Sequence, residues 1–240
     1  MTPIPPEQRG KFFVFVIESP SAADLYDRRS EGEIVRQAVE LNGLYCVVKT
    51  AISLAAFDAC LKVGLSRAME TRPSHIPLLH ISAHGNGDGI QLSDGTFMSW
   101  IELKERLRPV NRALGGSLVV CMSSCQGYAG IRMAMHVDEV DLPYLALVGC
   151  NSMPTWGETA VAYATLYHQL WRGETIGHAV SAMCVASGNH DFYVEHAEQS
   201  RQAYVSYLEN INAAEAQQNL ESIAAAVSPQ ERNALKALVG

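Results

Sequence analysis

Two segments of this chain put a reactive side chain immediately after an apolar run: Leu78-Leu79-His80-Ile81-Ser82-Ala83-His84-Gly85 and Leu118-Val119-Val120-Cys121-Met122-Ser123-Ser124-Cys125-Gln126-Gly127. A thiol attacks as its thiolate, so Cys125 needs a base. An imidazole such as His84 titrates near neutrality and can take or hold that proton. Gly85 has no side chain, so its N–H can approach a substrate carbonyl. With the N–H of Cys125 it could form an oxyanion hole, in which each donor contributes about 3 kcal/mol to the transition state. The chemistry implied is acyl transfer through a thioester, followed by hydrolysis.

The remaining candidates read as structural. His80 lies inside its strand and reads as a core histidine, and Cys121 is also within a strand, where a thiolate is poorly solvated. Cys150 ends a strand but has no local base. Cys46, Cys60 and Cys184 fall on apolar patterns. None of the six cysteines stands in a C-x-x-C pair or at zinc-ligand spacing beside a histidine, so no metal or other cofactor is expected. Asp88-Gly89 and Asp94-Gly95 are turn formers. No acidic partner for His84 is apparent, which leaves a main-chain carbonyl or a water to orient it.

An α/β protein with a mainly parallel sheet, covered by helices on both faces, would bring these segments together. Ligands bind outside the carboxyl ends of such strands, so His84 and Cys125 converge if their strands are neighbours. Strands are expected at 12–18, 45–49, 77–83, 117–122 and 144–150. A polar loop is expected at 19–29 and a hairpin at 89–98. Helices are expected at 31–42, 54–69, 100–114, 158–171 and 176–187. Thr155-Trp156-Gly157-Glu158 is a capping box ahead of the fourth of these. Beyond Gly188 the pattern turns to polar helix, and Ser228-Pro229-Gln230-Glu231 opens a last short helix to Val239. The reading is one domain over 1–190 with a helical extension, 191–240, appended to the sheet rather than part of it.

Composition closes off other classes. The chain has 240 residues, 48% of them hydrophobic and 18% charged, enough for one sizeable core. A net charge of −7 with scattered Lys and Arg gives no footprint for nucleic acid. No apolar run approaches the roughly 20 residues of a membrane span, and the N-terminus does not read as a signal peptide. Reduced cysteines then suggest the cytoplasm.

At this point the sequence resembles the caspase-like cysteine peptidases, which place a His-Gly after one apolar strand and the nucleophile after the next. Cys125, Gln126 and Gly127 match three positions of the caspase signature Q-A-C-[RQG]-G. It is more similar still to the CHAT branch, bacterial relatives of caspase and separase. Their hairpin after the His-Gly matches Gly89 to Gly95, and their Ser-x-Cys matches Ser123-Ser124-Cys125. The later strand, Trp- and Pro-containing turn and helix match the region from Ala146 to Gly173.

The resemblance, over about residues 10–190, implies a Cys-His dyad of Cys125 and His84 and a protein substrate. It implies gating by a regulatory or sensor protein, and roles in bacterial defence or programmed cell death. The caspase group does not require a side-chain acid behind the histidine. By the same resemblance Asn151, Ser152 and Trp156 line the substrate cleft. The position two before the nucleophile, acidic in metacaspases that prefer Arg or Lys at P1, is here Ser123. Pocket charge would then come from the loop after the first strand, where Asp24 and Asp27 favour a basic P1 residue and Arg28-Arg29 an acidic one. That choice is open.

Two other functions compete. A catalytically silent caspase-like module would only bind partners, but it has no chemical need for both His84 and Cys125. A glutaminase-type amidohydrolase needs Gly flanking its nucleophile, and Ser123 stands there instead.

Overall fold

The computed structural model describes residues 11–137, 141–226 and 230. Strands β1 (Phe12–Ser19), β2 (Cys46–Thr50), β3 (Ile76–Asn86), β6 (Val119–Ser123), β7 (Ala146–Cys150) and β8 (Phe192–His196) lie in the order β2-β1-β3-β6-β7-β8. The first four pairings are parallel, and β8 runs antiparallel to β7. β4 (Gly89–Gln91) and β5 (Phe97–Ser99) form the expected hairpin, which folds back onto the end of β3.

Alternation along β1 shows why both faces are covered. Phe13, Phe15 and Ile17 enter a core shared with α3 (Leu54–Ala59), α4 (Leu65–Thr71) and α5 (Trp100–Ala113). Val14 and Val16 point the other way, toward α2 (Glu31–Leu41), α6 (Trp156–Trp171) and α7 (Ile176–Ser187). The chain is thus the expected α/β protein, with a mainly parallel sheet between two helical layers. Its long helix α8 (Ala197–Ala226) extends at the C-terminal end.

Three local expectations are corrected. The loop at 19–29 contains a short helix, α1 (Ala22–Tyr26), opened by a capping box in which Ser21 and Asp24 satisfy each other's backbone N–H groups. The helix expected at 54–69 is interrupted by a π turn at Cys60–Gly64 between α3 and α4. The sheet also does not end before residue 191. Phe192–His196 is its last strand, so that part of the extension is no appendage. Phe192 is buried and Tyr193 exposed, but five residues are a short signal beside 30 residues of polar helix. The capping box at Ser228 and the helix to Val239 lie outside the described residues. Among the described residues no helix is long and apolar enough to cross a membrane.

Candidate active site

β3 and β6 are neighbours, and their register pairs Ser82 with Ser123. His84 and Cys125 each follow two residues later, so both stand beyond the same carboxyl rim. They line one cleft of about 240 Å³ together with Ala83, Ser124, Thr155 and Trp156. His84 is not in a loop, as its polar neighbours suggest. β3 runs on to Asn86, and His84 pairs with Gln91 of the hairpin. That pairing holds the backbone that carries the imidazole.

Asp24 supplies the partner that the sequence does not reveal. His84 Nε2 donates to Asp24 Oδ2 at 2.6 Å, and Trp156 Nε1 donates to Asp24 Oδ1 at 3.3 Å. The imidazole meets the Trp156 ring edge-on at 5.8 Å between centroids. Burial alone would raise the Asp24 carboxyl, but hydrogen bonds from Ser21 and His84 and the charge of His84 hold it below its ordinary value. The signal for this residue was Ser21-x-x-Asp24, a capping box directly after a buried strand. It turns the carboxylate back over the strand end. Trp156, the first residue of α6, is fixed likewise by the expected capping box of Thr155 and Glu158.

Cys125 is half-buried, the least enclosed of the six cysteines, all of which are free. Burial pushes its thiol up from the ordinary 9.0, and Cys150 adds to the rise. The turn after it is tight: Gln126 is left-handed at φ 52°, and its N–H donates to Ser152 O at 2.8 Å. A Cβ on Gly85 would sit 2.9 Å from Gly89 O and 3.1 Å from Ser124 Cβ, so strand and turn touch where only glycine fits.

The other predicted residues divide. Ser123 lines the cleft, but its hydroxyl donates to Glu31 Oε1 at 3.0 Å. Asn151 is exposed and its N–H donates to Asp191 O, while Ser152 Oγ lies 3.3 Å from Cys150 Sγ. Asp27 and Arg29 pair with each other at 3.3 Å on the surface, outside the cleft lining. Cys121 is buried with its thiol pushed up to about 12, first by burial. His80 is fully buried, its Nδ1 sharing a 2.8 Å hydrogen bond with the Tyr167 hydroxyl. Among the described residues no group of three or more His, Cys, Asp or Glu could hold a metal ion.

The sequence matches none of the protein-family models, and no curated protein matches it. Solved structures that match include the Arg-specific cysteine proteinase gingipain R, at 9% identity and a TM-score of 0.46. The match covers 75% of this chain, which spans 43% of that one.

Proposed function

We propose that this chain is a caspase-like cysteine endopeptidase of the CHAT type, with Cys125 as nucleophile, His84 as base and Asp24 as the group that holds His84. The observation that carries this reading is the 2.6 Å contact between His84 Nε2 and Asp24 beside a half-buried thiol in one cleft. With Nε2 donating to Asp24, Nδ1 is the nitrogen left to accept the thiol proton. The thiol is neutral at rest, so proton transfer accompanies attack. The Cys125 sulfur bonds to the substrate carbonyl carbon, and His84 gives the proton to the departing amine. Water then hydrolyses the thioester. Ionised Asp24 stabilises the imidazolium formed between these steps. The N–H groups of Gly85 and Cys125 receive the developing oxyanion.

Asp24 is committed to His84, and Asp27 to Arg29. The cleft lining contains no Asp, Glu, Lys or Arg. These facts favour an uncharged P1 side chain against Thr155 and Trp156. A peptidase of this kind in the cytoplasm requires restraint, so the reading includes activation by a regulatory protein, with α8 as a docking element. The resemblance adds a role in bacterial defence or cell death.

The test is labelling with a peptidyl acyloxymethyl ketone, followed by terminal sequencing of protein fragments made by wild type and Cys125→Ala. Labelling of Cys125 that His84→Ala abolishes, with fragments specific to wild type, supports the reading. A Cys125 that never labels, alone or with partners, overturns it and leaves the binding-module function.

A further inference from the structure

Beneath the cleft lies a fully buried carboxylate that the mechanism above does not use. Glu31, the first residue of α2, is 2% exposed. Its Oε2 accepts from Ser82 Oγ at 2.6 Å and its Oε1 from Ser123 Oγ at 3.0 Å. Those serines are partners in the β3–β6 register, each two residues before His84 or Cys125. Both hydroxyls are on the face opposite the Ile81 and Met122 core. One side chain thus spans the two strands that carry the dyad, at the last paired rung before each reactive residue. His80 Nε2 lies 3.5 Å from Glu31 Oε2 in the same enclosure.

This arrangement is costly to build. Burying a carboxylate carries a desolvation penalty that only close partners offset. A Leu or Met there would hold the sheet and helix together without that cost. The chain also dedicates its neighbours to the contact. Glu18, at the end of β1, accepts from Gly32 N at 2.9 Å and from Ser30 Oγ at 2.8 Å, drawing the first turn of α2 against the rim. A Cβ on Gly32 would lie 2.6 Å from Glu18 Oε2 and 2.8 Å from Val48 Cγ1, so only glycine permits this approach.

We propose that Glu31 is a positioning residue that, through Ser82 and Ser123, sets the separation and alignment of His84 and Cys125. This rests on the Cys-His reading, and the test separates the two. The readout is the second-order rate of Cys125 alkylation by iodoacetamide, followed by peptide mass spectrometry in wild type, His84→Ala, Glu31→Gln and Ser82→Ala/Ser123→Ala. Wild type should react faster than His84→Ala. Glu31→Gln should fall by about tenfold or more toward the His84→Ala rate. Adding the serine changes to Glu31→Gln should lower the rate no further, because they act through the same carboxylate.

With a cleavable peptide, kcat per folded enzyme, counted by titrating Cys125, falls while KM holds. If Glu31→Gln does not fold, the serine double variant carries the test with the same expectation. Folded variants reacting within about twofold of wild type, against a slow His84→Ala, overturn the positioning role alone. Wild type no faster than His84→Ala overturns the dyad, and this proposal with it.

Discussion

At the residue scale, Asp24 decides which nitrogen of His84 is available. Asp24→Asn keeps the shape but no longer enforces that tautomer, and kcat should drop about 10²–10⁴-fold with little change in KM. The linkage has a definite sign. The Asp24 carboxyl is held below its ordinary 3.8 in the folded state, so it stabilises the fold above that value, and the contribution is lost as pH falls through its lowered one. The stability difference between wild type and Asp24→Asn should therefore shrink as pH falls below 3.8 in thermal melts at stepped pH. The Cys125 thiol is displaced oppositely. In His84→Ala its alkylation rate should still be climbing with pH at 9.0 and level off only above it, while wild type, helped by His84, reacts at lower pH, which a pH–rate profile of each resolves.

At the element scale, the site depends on helix starts and close backbone approaches. Thr155→Ala removes the cap that fixes Trp156 against Asp24 and should cost about 1 kcal/mol in thermal denaturation. It should also weaken substrate binding more than turnover. Gly85→Ala drives a methyl group into Gly89 O and the Ser124 side chain, neither of which can yield without shifting the hairpin or the turn that carries Cys125. Overpacking of this kind costs about 1–3 kcal/mol. Melting temperature and Cys125 alkylation should fall together in that variant. These elements were legible beforehand where a local signal existed, as for the capping box at Thr155 and the hairpin at Asp94-Gly95. The capping box at Ser21 was equally local, but it sits in a stretch whose polar residues read as loop.

At the scale of the whole molecule, β8 changes what the C-terminal region does. Truncation after residue 190 strips the strand from β7 and leaves that edge unpaired, so the product should aggregate by light scattering. Truncation after residue 211 keeps β8 and the buried Ala197 and Ser200, and should leave the melting temperature near that of the full chain. The helix beyond is exposed over 212–219, so it does not prop the core.

Short-range physics made the two apolar strands, the His84-Gly85 and Cys125 that follow them, and most helix boundaries readable in the sequence, because propensity and capping act within a few residues. The neighbouring positions of β3 and β6 were readable only as a condition. Which of the 25 Asp and Glu residues reaches His84 was decided by the tertiary structure. Asp24 is 60 positions away from His84, and Glu31 lies 51 and 92 positions from the serines it joins. Such contacts follow from strand order and helix docking, where the net gain from pairing buried polar groups depends on their three-dimensional placement.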